Sequence, residues 1–136
     1  MVSLDRLSDL LHRELASAFP DRRLLGAWLY GSHASGRARA DSDVDVAILF
    51  DGPLDPVTLF DTGCRLAAEL GMPVDLVDLR RASGLLRVEA TQRGRALVPP
   101  TVEADYFTTH AVADHAAFAG NRRAATAAMQ EKFSAR

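Results

Sequence analysis

The chain has 136 residues, enough for one domain of ordinary size, and is 48% hydrophobic and 25% charged, as a globular fold requires. A formal charge of -2 supplies no global positive field for a nucleic-acid partner. No apolar run approaches the roughly 20 residues of a membrane span, the N-terminus lacks a signal peptide's apolar centre, and the single cysteine, Cys64, allows no intrachain disulfide, which together point to a cytoplasmic protein with no membrane partner.

Leu4, Leu7, Leu11, Leu15 and Ala18 recur at helical spacing and predict an amphipathic helix over 3–19, stopped by Pro20-Asp21. A strand follows from about Leu24 to Tyr30, ended by Gly31, with Trp28 expected in the core. The small, polar "SHASGRARAD" reads as a helical turn plus loop, and "DVDVAILF" as a second strand broken by Gly52-Pro53. Asp55-Pro56 has the form of an N-cap followed by proline at the first helical position. Val57, Phe60, Cys64 and Ala67 share one face of that helix, so Cys64 is expected to point into a core. Gly71 closes the helix. "PVDLVDL", Pro73 to Leu79, is a third strand; Ser83 caps a helix through Gln92, closed by Gly94; "RALV" is a short edge strand before Pro99-Pro100. From Thr101 the chain is alanine-rich and mostly helical, with a break expected at Gly120-Asn121.

The link between strands 1 and 2 is too short for a covered crossover of about a dozen residues, so those strands are expected to run antiparallel. A full helix joins strands 2 and 3, which are expected to be parallel. The fold class is α/β in the α+β sense: a small mixed sheet backed by helices.

Residues i and i+2 of a strand point to the same side. Asp43 and Asp45 therefore share a face with Ala47 and Leu49, while Val44, Val46, Ile48 and Phe50 take the other. Two carboxylates on one face repel, and a divalent cation removes that cost. Mg²⁺ fits, since it takes oxygen ligands and is commonly held by a few carboxylates plus substrate phosphates. If strands 2 and 3 are parallel neighbours, Asp75 lies beside the start of strand 2 and is the expected third acid. Asp78 faces the other way and is expected to be structural or at the surface. Three carboxylates can hold two ions about 3.5–4 Å apart, an arrangement suited to phosphoryl transfer. Gly31 permits close approach of backbone to a phosphate, and Ser32 adds a hydroxyl donor. Arg37 and Arg39 either neutralise phosphate oxygens or belong to an ordinary solvated loop.

Gly31-Ser32, ten residues, then Asp43-Val44-Asp45 resembles the signature of the DNA polymerase beta-like nucleotidyltransferase superfamily. With "VDLVDL" one helix later, residues 22–98 look like the minimal nucleotidyltransferases, the antitoxin halves of HEPN–MNT toxin–antitoxin pairs. That resemblance implies a polymerase beta-like nucleotidyltransferase fold and Mg²⁺-dependent transfer of AMP from ATP. It implies Asp43, Asp45 and Asp75 as metal ligands, Asp75 as the group nearest the attacking hydroxyl and its base, and Gly31 and Ser32 as holders of the triphosphate. It also implies the acceptor, a tyrosine hydroxyl on a partner HEPN ribonuclease toxin. Many relatives carry arginines where this chain has His33 and Ser35.

The expected organisation is a catalytic domain over 1–100 and a helical tail over 101–136, either part of that domain or a partner-binding extension. The tail is too short for a separate substrate domain, which favours a macromolecular acceptor that brings its own surface. Two other readings are a non-catalytic antitoxin that neutralises its partner by binding, and a small-molecule nucleotidyltransferase. Asp41 and Ser42 are expected to shape a turn, and His110 and His115 to lie at the surface. Tyr106, Phe107 and Phe118 either pack the tail onto the domain or meet a partner.

Overall fold

The structure, a computed structural model, describes residues 2–39 and 41–117. The elements run α1 (Leu4–Ala18), β1 (Leu24–Tyr30), α2 (Ser32–Ser35), β2 (Val44–Phe50), α3 (Pro56–Leu70), β3 (Val74–Asp78), α4 (Gly84–Val88) and β4 (Arg95–Val98). A further helix, α5, occupies 102–117. The expected break at Gly120-Asn121, and Phe118, lie outside the described residues.

The four strands form one sheet in the order β3-β2-β1-β4. β1 is antiparallel to β2 and to β4, and β2 is parallel to β3. The short β1–β2 link and the helical β2–β3 link thus give the directions their lengths demand. In the mixed sheet the C-terminal end of β1 meets the N-terminal ends of β2 and β3.

Alternation sorts the side chains of β1 and β2 into two layers. Ala27, Leu29, Val44, Val46, Ile48 and Phe50 pack against α1, through Leu7, Leu11 and Leu15, and against α3, through Leu66. Leu25, Trp28, Tyr30, Ala47 and Leu49 face the other way, onto Leu79, Ala90 and Ala104. Trp28 is buried, as expected, and Phe107 of α5 packs against this second layer. The guanidinium groups of Arg80 and Arg87 lie 5.8 and 5.1 Å from the Phe107 ring centre, so α5 is seated on the domain by cation–π contacts as well as apolar burial.

Capping follows the residue types. The Ser3, Asp55 and Ser83 side chains accept N–H bonds from Arg6, Thr58 and Leu86 at the starts of α1, α3 and α4. Gly71 ends α3 in the left-handed region. The helix expected from Ser83 to Gln92 changes pitch at its end, where Glu89–Arg93 form a π turn that Gly94 closes.

α3 presents a different face from the one expected. Thr62, Gly63 and Leu66 are buried and Leu59 and Leu70 pack beside them, whereas Val57 (68%) and Phe60 (72%) are exposed and Cys64 is an exposed free thiol. A β-carbon added at Gly63 would lie 3.6 Å from both Leu76 and the Val74 carbonyl. The small residues at 62 and 63 let α3 lie close on β3, and that contact decides its rotation. Cys64 therefore faces outward rather than into the core.

Candidate active site

The site stands where β1 ends and β2 and β3 begin. Asp45 pairs with Asp75 in the parallel register and with Tyr30 in the antiparallel one. Side chains directly opposite in a ladder share a face, so Tyr30, Asp45 and Asp75 stand in a row across three strands. Asp43 is one residue outside β2 and joins the same side. α4, the π turn and α5 cover the middle of this face, and the acids stand beyond their cover: Asp43 and Asp75 are exposed and Asp45 is half-buried.

The electrostatics record this crowding. Burial pushes the Asp45 carboxyl above the ordinary carboxylate range, and the charges of Asp75 and Asp43 push it further. Burial and then the charges of Asp45 and Asp75 raise the Tyr30 hydroxyl to about 12. Among the described residues, none of the three acids is within salt-bridge reach of a lysine or arginine. No set of three or more His, Cys, Asp and Glu side chains among those residues is already drawn together around a metal position. The acids are strand neighbours with uncompensated charge rather than a closed cage. An all-oxygen donor set under mutual repulsion fits a hard divalent cation, whose binding relieves the repulsion.

Gly31 explains why the Gly-Ser pair precedes the acids. Its φ is +72°, and a β-carbon there would sit 2.3 Å from Oδ2 of Asp45. Only glycine lets the end of β1 turn while the Asp45 carboxylate lies against its backbone. Ser32 opens α2 and is half-buried. The Gly31 carbonyl accepts from the amides of Ala34 and Ser35, each at 3.2 Å, and Gly36 caps the turn with φ +76°. Arg37 and Arg39 extend from the following loop; both are exposed, and among the described residues neither makes a salt bridge. Thus the structure gathers Asp43, Asp45, Asp75, Gly31 and Ser32 at one edge and leaves the two arginines on a loop beside it.

Asp78 is kept out of this group. It is buried, at 4% exposure, on the α1–α3 side, where its carboxylate accepts from the backbone N–H of Arg80 at 3.0 Å and of Leu54 at 3.4 Å. Its role is structural. Ser42 shapes the turn as expected, exchanging bonds with Arg39 through its hydroxyl and its amide. His110 is exposed and packs against Tyr106 with ring centres 4.2 Å apart and planes tilted by 56°, and His115 is half-buried near Gly84.

Two further residues, Tyr30 and His33, stand beside the acids. Tyr30 was findable from strand parity, which puts it on the Asp45 face. His33 is buried, at 4% exposure, although it lies in a polar stretch of small residues, and no pattern in that stretch signals it. A cleft of about 390 Å³ between Phe19, Arg22, Leu54, Asp55 and Thr58 is at the opposite end of the sheet and contains none of the three acids.

A mixed sheet with a Gly-Ser turn and spaced acids at one edge defines a class. The family model described as polymerase beta, nucleotidyltransferase matches residues 14–100, and the chain belongs to that family. Within it, the chain is 37% identical over 70 residues to the protein adenylyltransferase MntA of Shewanella oneidensis strain MR-1. The match takes in 52% of this chain and 50% of that protein, so the chain spans about half the length of the curated relative it matches. Among solved structures, a toxin–antitoxin complex with AMP-PNP superimposes with a TM-score of 0.76 and 27% identity, over 86% of this chain and 93% of the matched one. An MntA–HepT toxin–antitoxin complex superimposes with a TM-score of 0.71 and 25% identity, over 88% and 92% of the two chains.

Proposed function

We propose that this protein is an Mg²⁺-dependent adenylyltransferase that moves AMP from ATP to a tyrosine hydroxyl of a partner HEPN ribonuclease toxin and so acts as its antitoxin. The observation that carries the reading is the in-register pair Asp45–Asp75, with Asp43 beside it and Gly31 packed on the Asp45 carboxylate. The likeness to MntA and to the complex with AMP-PNP gives that chemistry its substrate class.

Asp43, Asp45 and Asp75 would hold the metal, with room in the donor set for two ions. A divalent cation held by these acids would supply positive charge for the triphosphate and polarisation of the attacking oxygen. The backbone at Gly31 and the hydroxyl of Ser32 hold phosphate oxygens, and Arg37 and Arg39 approach them from the loop. The acceptor hydroxyl oxygen bonds to the α-phosphorus and the bond from that phosphorus to the β-phosphate oxygen breaks. Pyrophosphate leaves, and the hydroxyl proton passes to Asp75 as general base.

The catalytic unit is residues 1–100, and α5 belongs to the same domain, since Ala104 and Phe107 pack into its second core layer. The partner meets the open edge of the sheet. No helix of the described residues is long and apolar enough to cross a membrane, and a cytoplasmic setting supplies the ATP. Incubation with labelled ATP, Mg²⁺ and a candidate HEPN partner toxin is expected to label the toxin on tyrosine. Absence of label from folded protein refutes the enzymatic reading. Full protection of cells by Asp43→Asn/Asp45→Asn would establish neutralisation by binding instead.

A further inference from the structure

His33 is the buried polar side chain that the chemistry above leaves without a task. It sits in α2, directly after Gly31-Ser32, and its Nε2 lies 3.2 Å from the backbone carbonyl of Ser42. A carbonyl oxygen only accepts, so Nε2 carries the proton in this bond. Nδ1 is enclosed and has no partner among the described residues. Buried imidazoles that serve only to fill space normally have both nitrogens satisfied or are replaced by apolar side chains.

The bond spans the loop that delivers Asp43. Arg39 and Ser42 are bonded to each other, the Arg39 amide donating to the Ser42 hydroxyl at 2.7 Å and the Ser42 amide to the Arg39 carbonyl at 3.0 Å. On the far side of Asp43, the Val44 amide donates to the Pro73 carbonyl at 2.8 Å. Asp43 is therefore suspended between two fixed backbone points, Ser42 held by His33 and Val44 held by the start of β3. Its own carboxylate makes no hydrogen bond among the described residues.

We propose that His33 is a positioning residue, whose imidazole pins the Ser42 carbonyl to the Gly31–Ser32 turn and thereby fixes where Asp43 presents its carboxylate. The inference rests on the adenylyltransferase reading for the use of Asp43, but the clamp itself is a property of the metal-free protein. Partners of this kind, one step removed from a ligand, change metal affinity or activity by about 10- to 100-fold when lost.

The test compares wild type with His33→Leu, His33→Gln and His33→Asn, each first shown folded by its thermal melt. Glutamine can reproduce a donor at the Nε2 position without an acceptor at Nδ1; asparagine reaches only the Nδ1 position. Calorimetric titration of Mg²⁺ in the presence of AMP-PNP is expected to show half-saturation raised about tenfold in His33→Leu and His33→Asn, with most of the loss recovered in His33→Gln. Amide exchange without metal is expected to quicken at Ser42 in His33→Leu and to stay unchanged at Val44. Imidazole ¹⁵N shifts are expected to show the Nε2–H form. Unchanged exchange at Ser42, an Nδ1–H form, equal behaviour of Gln and Asn, or a His33→Leu that takes Mg²⁺ as wild type does would each overturn the clamp. If wild type itself takes no Mg²⁺ with AMP-PNP while the exchange result holds, the adenylyltransferase reading fails and the clamp stands.

Discussion

Replacing Asp45 by asparagine is expected to stabilise the metal-free protein and abolish its response to Mg²⁺–nucleotide. The two side chains are nearly isosteric, so the contact with Gly31 survives and the change is one of charge. Neighbouring strands lie about 5 Å apart, and two carboxylates at that separation repel by about 3 kcal/mol at an effective dielectric of 20 and by less than 1 kcal/mol in bulk water. Asp75 and Asp43 are exposed, which places the relief near the lower figure, about 1 kcal/mol. For a domain of this size that raises Tm by about 3–5 °C. Removing a half-buried charge adds in the same direction, because burial is the first cause of the raised Asp45 pKa. Mg²⁺–ATP at a hundredfold excess over its Kd adds about 2.7 kcal/mol to wild type, or roughly 10 °C, and nothing comparable to the mutant. Melts in EDTA and in Mg²⁺–ATP measure both. An Asp45→Asn protein that melts below wild type in EDTA, or that gains as much from Mg²⁺–ATP, would refute the view of this edge as a repulsive acid cluster awaiting a cation.

Gly31→Ala is expected to lower stability by about 1–3 kcal/mol from its backbone region, φ +72° and ψ −153°, alone, and to cut AMP transfer more sharply, since its β-carbon displaces the Asp45 carboxylate; melts and labelled-ATP assays report the two separately. Asp78→Ala leaves one buried and one part-buried backbone donor unpaired and is expected to cost about 2–4 kcal/mol in denaturant unfolding, while the protein that remains folded transfers AMP at the wild-type rate. The Asp55 carboxyl is held below its ordinary value first by the Thr58 hydroxyl and then by the Thr58 amide. Its capping contribution is therefore complete above the unfolded pKa of about 3.8 and is lost as pH falls through the lower folded value, so Asp55→Asn should flatten the acid limb of Tm against pH. Phe60→Ser is expected to shift stability by less than about 0.5 kcal/mol; a core-sized loss in the melt would mean that α3 turns Val57, Phe60 and Cys64 inward.

The strands were legible because their signals are local. Apolar and β-branched runs bounded by glycine and proline gave β1 to β4, and loop length alone gave the antiparallel and parallel pairings. The rotation of α3 was not legible for a physical reason. The helix carries two adjacent stripes, Val57–Phe60–Cys64 and Leu59–Thr62–Gly63–Leu66–Leu70, and the first is the more apolar on inspection. The second wins because small residues at 62 and 63 permit close approach to β3, and close approach is a property of the pair of elements. The π turn at Glu89–Arg93 is likewise set by contact: a β-carbon at Gly94 would lie 2.1 Å from the Ala90 carbonyl and 2.7 Å from that of Leu29.

The site divides along the same line. Asp75 could be placed beside Asp45 because parallel strands joined by one helix start at the same sheet edge, so position within the strand translates into position in space. Parity then separated Asp75 from Asp78, and the structure puts the two on opposite layers. Neither rule reaches His33. Its burial arises from the α2 turn folding back over the loop to Ser42, a contact between segments with no periodicity to read. The same holds for Arg37 and Arg39, whose loop has no ladder to fix a direction. The positions that strand geometry fixes could thus be read in advance, whereas His33 became visible only as a buried ring with one nitrogen bonded to a backbone carbonyl.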